Sequence, residues 1–138
     1  MAVYKFDRVS VMVCEDNAFV RRTLEDVLRQ FGFERITLLK NGQEAIESLK
    51  LMKQGRSAGP DLIIADLVMA PINGLLLCRW CRSAKETPNR MVPFIMLSGA
   101  ADQDYVSSAR DLGATEFLTK PFSGETVYKK ILEVIDFP

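Results

Sequence analysis

Glu15-Asp16, Asp66 and Lys120 are the residues of this chain whose types and placement could do chemistry. Each stands at or just past the end of a short apolar run. Glu15-Asp16 follow Val9-Ser-Val-Met-Val-Cys14, Asp66 follows Leu62-Ile-Ile-Ala65, and Lys120-Pro121 follow Phe117-Leu118-Thr119. Three carboxylates brought together repel one another unless a hard cation and an ammonium group sit among them. The pattern therefore points to a cation site with a lysine beside it, provided the fold gathers these chain positions.

Runs of this length rich in Val, Ile and Leu read as strands buried on both faces, and the segments between them have helical spacing, so the strands should lie side by side in a parallel sheet. Strands are expected at Val9–Cys14, Ile36–Leu39, Asp61–Asp66, Val92–Ser98 and Glu116–Thr119. Asn17 is placed to cap a helix carrying Val20, Leu24, Val27, Leu28 and Phe31 at helical spacing, which Gly32 ends. Asn41-Gly42 leads into a helix with Ala45, Ile46 and Leu49 on one face, and Lys53–Pro60 reads as a loop by its glycines and proline. Asn73-Gly74 opens a third helix reaching about Arg82. Asp102–Leu112 reads as a fourth, with Val106, Ala109 and Leu112 inward and Gly113 ending it. A fifth from Ser123 to about Ile135 buries Val127, Ile131, Val134 and Ile135. Alternating strands and helices with right-handed crossovers give an α/β doubly wound, five-stranded parallel sheet with helices on both faces. All the acidic ends and the lysine then emerge along one edge, and in such sheets ligands bind outside the carboxyl ends of the strands.

The 138 residues fit one domain, with the core at about 9–135 and a short extension at 1–8. A composition of 48% hydrophobic and 26% charged residues is ordinary for a soluble globular protein. Basic and acidic residues balance at 18 each, so no long-range field draws in nucleic acid or an anionic membrane. No run has the length of a signal peptide core or a membrane span, which leads to the expectation of a cytoplasmic protein. Three cysteines and no histidine argue for reduced thiols and against a four-ligand zinc site. Cys78 and Cys81 are spaced Cys-x-x-Cys but fall well inside a helix, whereas a redox pair sits at a helix N-terminus; packing is the expected role.

With these residues in order, the chain resembles the receiver domain of two-component response regulators, over roughly Val9 to Ile135. The likeness is carried by an acidic pair ending the first strand, an aspartate ending the third, Met96-Leu97-Ser98-Gly99-Ala100 ending the fourth with a hydroxyl residue, and Lys-Pro after the fifth. The resemblance implies a flavodoxin-like strand order 2-1-3-4-5. It further implies that Asp66 accepts a phosphoryl group from a sensor histidine kinase or a histidine phosphotransfer protein. Glu15, Asp16, Asp66 and the backbone carbonyl of Val68 are similar to the family's Mg²⁺ ligands, Glu15 acting directly or through water. Lys120 corresponds to the family's phosphoryl-binding lysine, and Ser98 with Gly99 to its phosphoryl-binding and switch position. Phe117 matches the aromatic residue that turns inward when the hydroxyl residue moves toward the phosphoryl group. Having no phenolic hydroxyl, it can report that state only by packing. The altered face would be that of the fourth helix, fifth strand and fifth helix, which also offers a surface for dimerisation. By the same analogy, the Lys120–Pro121 peptide should be cis.

The chain departs from the family where Met-Pro often follows the acceptor. It reads Asp66-Leu-Val-Met-Ala-Pro-Ile-Asn-Gly74, with the proline displaced by one and Asn73 where an Asp is common. Val68 and Ala100 flank the site where polar groups are often found, and neither can orient an attacking water, so phosphate should leave Asp66 slowly. Three other readings compete. A haloacid dehalogenase-type phosphatase needs a second Asp two residues after the nucleophile, where Val68 stands. A flavodoxin-like cofactor carrier needs a phosphate loop after the first strand, where Cys14-Glu-Asp-Asn17 would repel a phosphate. A phosphorylation-independent interaction module on the same fold usually lacks an acidic residue or the lysine, and neither is missing. The expectation is thus a phosphoacceptor, not an enzyme acting on an external substrate. With no output domain in the sequence, it is either a stand-alone regulator or part of a longer protein whose output lies elsewhere.

Overall fold

The computed structural model describes residues 5–99 and 103–135, with side chains in the second segment from Ser107 onward. Five parallel strands form one sheet: β1 (Ser10–Cys14), β2 (Arg35–Leu39), β3 (Leu62–Asp66), β4 (Phe94–Ser98) and β5 (Glu116–Thr119). Their order is β2-β1-β3-β4-β5, the expected one. Helices α1 (Ala18–Gln30), α2 (Gly42–Gln54), α3 (Gly74–Ser83), α4 (Gln103–Asp111) and α5 (Gly124–Val134) alternate with them. The bounds fall within one or two residues of those read from the residue pattern, wherever they lie among the described residues. The expected start of the fourth helix at Asp102 and the inward placing of Val106 lie outside what is described.

The small differences have local causes. β4 begins at Phe94, not Val92, because Pro93 has no N–H to give the ladder; its carbonyl still accepts from Ile63 N at 2.9 Å. α2 runs past Lys53, because the first helix breaker after it is Gly55, whose N–H closes the helix on Leu51 O at 3.0 Å. Asn17, Asn41, Asn73 and Ser123 each accept from a backbone N–H in the first turn of α1, α2, α3 and α5.

Side chains alternate across the sheet into two cores. Met12, Cys14, Ile63, Ala65, Phe94 and Met96 face α2, α3 and Ala109 of α4. Val11, Val13, Leu62, Ile64, Ile95 and Leu97 face α1 and α5, where Leu24, Leu28, Val127 and Ile131 meet them. Every residue of β3 and β4 is buried, which explains their continuous apolar runs. Val134 and Ile135, expected to be buried, are only half-buried at the C-terminal end of α5. Phe6, which the sequence reading leaves in the extension, is 2% exposed and closes the second core, stacked on Phe33 with ring centroids 4.4 Å apart.

Candidate functional site

Strand register brings the acidic ends together. Cys14 pairs with Ala65, so the residues that follow them, Glu15 and Asp66, leave the sheet side by side. Glu15 N–H makes the last bond to β2, donating to Leu39 O at 3.0 Å. On the other flank Ser98 pairs with Thr119, and Lys120 N–H donates to Ser98 O at 2.7 Å, which sends the lysine side chain out at the same edge. Two strands that never pair directly, β1 and β5, thereby contribute to one pocket over β3.

Within the pocket, Lys120 Nζ bridges the two buried carboxylates, donating to Glu15 Oε2 at 3.1 Å and to Asp66 Oδ2. Glu15 Oε1 accepts from Asn17 N at 3.1 Å, and Asp66 Oδ1 accepts from Val68 N at 3.0 Å. Glu15 is fully buried and Asp66 nearly so, while Asp16 is exposed at the rim. One oxygen from each of Glu15, Asp16 and Asp66 lies within 4.8 Å of the others. Burial, followed by the hydrogen bond and charge of Asp66, pushes the Glu15 carboxyl up to about 7, against smaller lowering from Asn17 and Lys120. Burial alone would lower the Lys120 ammonium, but Asp66 and then Glu15 outweigh it and hold its pKa above the ordinary lysine value.

The remaining expected site residues surround this centre. Ser98 Oγ is buried without a hydrogen-bond partner among the described residues. Such an orphan hydroxyl is unusual and suits an acceptor atom that arrives only with a ligand. Gly99 follows it at the start of the loop, and Ala100 lies outside the described residues. The side chain of Val68 is 61% exposed and offers no polar group to the pocket mouth. Phe117 is half-buried against the first core, and the exposed Arg110 guanidinium sits over its ring at 4.9 Å. Ser98, Phe117, Arg110 and Lys130 line a groove of about 490 Å³ on that side. Lys120–Pro121 is a cis peptide, and so is Ala70–Pro71 in the displaced-proline loop.

Three features were not read from the sequence. Arg21 Nη1 donates to Glu15 O at 2.7 Å, although its position on α1 marks it only as one of the polar residues between apolar ones. Gly74 is packed so tightly that a Cβ there would lie 2.4 Å from Asp66 O and 2.6 Å from Met96 Sδ; Asn-Gly signals a helix start and nothing about that approach. A largely apolar hollow of about 390 Å³ lies beside Lys120, lined by Phe19, Val20, Thr23, Pro121 and Phe122. Cys14, Cys78 and Cys81 are free and buried, and burial pushes Cys81 up to about 12, as inert packing residues require.

The donor set fits a hard divalent cation: oxygen ligands only, two of them buried, with the exposed Asp16 at the open side. The orphan Ser98 Oγ and Lys120 add a donor and a positive charge for an anion beside it.

Comparisons with known proteins agree with this geometry. The profile of the response regulator receiver domain matches residues 11–132. The transcriptional regulatory protein PdtaR of Mycobacterium tuberculosis is 34% identical over 113 residues, 82% of this chain and 50% of that protein. The chain thus spans about half the length of that relative. The chemotaxis protein CheY of Thermotoga maritima is 31% identical over 90% of this chain and 95% of its own. Among solved structures, the receiver domain of the sensor histidine kinase PA1611 from Pseudomonas aeruginosa, with a magnesium ion coordinated in its active site cleft, superposes with a TM-score of 0.77 at 26% identity, covering 91% of this chain and 96% of that one. Among the described residues no helix is long and apolar enough to cross a membrane. The matched profile, the strand order and the clustered acidic residues lead to one conclusion: this chain belongs to the response regulator receiver domain family of two-component systems.

Proposed function

We propose that Asp66 accepts a phosphoryl group from a phosphohistidine on a sensor kinase or phosphotransfer protein, and that the chain is a cytoplasmic signalling acceptor and not an enzyme acting on an external substrate. The observation that carries this reading is the Lys120 ammonium held between Glu15 and Asp66, with the Asp16 carboxylate in the same cluster. Phosphoryl transfer demands alignment and charge neutralisation more than covalent ingenuity, and this pocket is built for both. An Asp66 carboxylate oxygen attacks phosphorus while the bond to the histidine nitrogen breaks. The electron pair of that bond returns to the imidazole, which takes up a proton. Lys120 moves from carboxylate to phosphoryl oxygen as a point charge, and Ser98 Oγ, which has no partner among the described residues, supplies a hydrogen bond.

Glu15, Asp16, Asp66 and the backbone carbonyl of Val68 would hold Mg²⁺, which, when bound, neutralises charge on the phosphoryl oxygens. The largely apolar hollow lined by Phe19, Val20, Pro121 and Phe122 lies beside Lys120, where the phosphodonor must approach. Movement of Ser98 toward the phosphoryl group opens space toward Phe117, and inward packing of that ring would release Arg110 and alter the face of α4, β5 and α5. A downstream protein, or an output domain elsewhere in a longer protein, would read that face.

The test is incubation with Mg²⁺ and acetyl phosphate followed by mass mapping. One phosphoryl group is expected on Asp66, none in Asp66→Asn and none with EDTA. An unmodified Asp66 in the Mg²⁺-treated protein overturns the reading in favour of a phosphorylation-independent interaction module.

A further inference from the structure

Glu15 is the point at which the chain leaves the sheet, and all of its polar atoms are held. Its N–H donates to Leu39 O at 3.0 Å, Oε1 accepts from Asn17 N at 3.1 Å and Oε2 from Lys120 Nζ at 3.1 Å. Its carbonyl has left the strand ladder, and Arg21 Nη1 takes it at 2.7 Å in a half-buried setting. That is a charge-assisted bond, of the stronger kind, from a side chain that does not lose its proton. Arg21 is itself fixed, because its backbone N–H donates to Asn17 O at 2.9 Å in the first turn of α1, which Asn17 caps.

The peptide unit is planar, so holding Glu15 O holds the whole Glu15–Asp16 plane and the direction in which Asp16 departs. Glu15 has its own side-chain partners, whereas Asp16 is exposed at the rim. The orientation of the outer carboxylate therefore depends on the backbone that carries it. We infer that Arg21 is a positioning residue for the acidic pair, setting the Glu15–Asp16 peptide so that the exposed carboxylate faces the cation position without Arg21 touching cation or phosphoryl group. This rests on the phosphoacceptor reading and adds to it a residue on α1 that governs cation affinity.

The test titrates Mg²⁺ into the full chain by calorimetry for wild type, Arg21→Met and Arg21→Lys, and measures acetyl phosphate labelling of each at low and saturating Mg²⁺. Arg21→Met should weaken Mg²⁺ about tenfold, as loss of a group supporting metal ligands commonly does. Its labelling should fall at low Mg²⁺ and return toward wild type at saturation. Arg21→Lys, which keeps a charged donor, should recover part of the affinity. A role confined to helix stability would lower the melting temperature without that dependence on Mg²⁺. Should Arg21→Met fail to fold, Arg21→Ala takes its place. Undiminished affinity in the folded apolar variant, or no recovery with lysine, overturns the inference alone. A wild-type protein that binds no Mg²⁺ overturns the phosphoacceptor reading and this inference with it.

Discussion

Gly74→Ala should damage the proposed phosphoacceptor site from behind, through backbone alone. The added methyl would stand 2.4 Å from Asp66 O, 3.0 Å from Asp66 C and 2.6 Å from Met96 Sδ. The closest of these is about 1 Å short of ordinary contact, and a main-chain atom at the end of a fully buried strand cannot swing aside as a side-chain tip can. Either α3 backs away, drawing on Gly74 N–H to Leu67 O at 3.2 Å, or the end of β3 shifts with Asp66. Overpacking of this kind costs about 1–3 kcal/mol, and the better helix propensity of alanine returns less than about 1 kcal/mol, leaving a net loss of roughly 1–2 kcal/mol. The larger effect should be on labelling, because displacing a reacting oxygen by about 1 Å can lower a rate on the order of a hundredfold. Gly42→Ala is the matched control: its Cβ would meet Ile72 O at 2.6 Å and Ile72 Cγ2 at 2.7 Å, an equal conflict that does not touch Asp66. Urea unfolding and initial rates of acetyl phosphate labelling, measured on both variants, separate stability from alignment. Equal destabilisation with labelling lost only in Gly74→Ala is the expected result. Wild-type labelling in Gly74→Ala, or equal loss in Gly42→Ala, refutes the claim that this glycine positions the acceptor.

Three further outcomes are expected. Val68→Glu should shorten the lifetime of the phosphorylated protein severalfold, because the exposed valine offers an attacking water nothing to bond, and time courses after phosphodonor removal decide it; equal lifetimes sink the idea. Burial alone would raise the Glu116 carboxyl, but Phe117 N–H and Lys130 hold it below the usual range, so its contribution is present above the unfolded carboxyl pKa and lost as pH falls through the folded one. Glu116→Gln should therefore cost at most about 1 kcal/mol near pH 7 and progressively less as the pH falls through the folded carboxyl pKa, a trend read from urea midpoints, and a cost that does not shrink in acid contradicts the assignment. Phe6→Ala should cost about 3 kcal/mol in urea unfolding, because it empties a buried site between Phe33 and Tyr128, and a change under about 1 kcal/mol would show that the N-terminal segment is dispensable.

The sheet and the pocket were legible for the same reason. A parallel strand buried on both faces must be an unbroken apolar run, so a charge can appear only where the run stops, and all such stops share one edge. Glu15-Asp16, Asp66 and Lys120 are visible because each interrupts hydrophobicity at a strand end. Arg21, Gly74 and Phe6 gave no such signal. Arg21 obeys the helical pattern as a polar position, and its bond to Glu15 O depends on how α1 leaves the sheet, which periodicity does not encode. Gly74 reads as part of a helix start, while its closeness to Asp66 follows from how α3 packs on β3. Phe6 stands alone among polar neighbours, and its burial depends on the gap that Phe33 and Tyr128 leave at the far end of the second core.

That division bears on how such a site works. On the proposed reading the carboxylates carry its chemistry, and in the structure Glu15 and Asp66 are held together against their own repulsion by Lys120 and by backbone N–H groups from Asn17 and Val68. Burial first, then the hydrogen bond and charge of Asp66, raise the Glu15 carboxyl to about 7, and Ser98 Oγ, buried without a partner among the described residues, is a second polar group held at a cost. On the proposed reading both costs would fall with ligands bound: a cation would relieve the carboxylates, and a phosphoryl oxygen would give the Ser98 hydroxyl a partner and Lys120 a further one. A ligand shifts a conformational equilibrium only by what it binds better in one state than in the other, and these unmet interactions are such a difference. Ser98 lies on the strand beside that of Phe117, whose ring lies under Arg110, so movement of the hydroxyl toward a ligand would bear on the packing of that ring. A switch of the proposed kind would need no long relay, because Ser98 at the end of β4 lies one strand away from Phe117 and the Arg110 side chain over it.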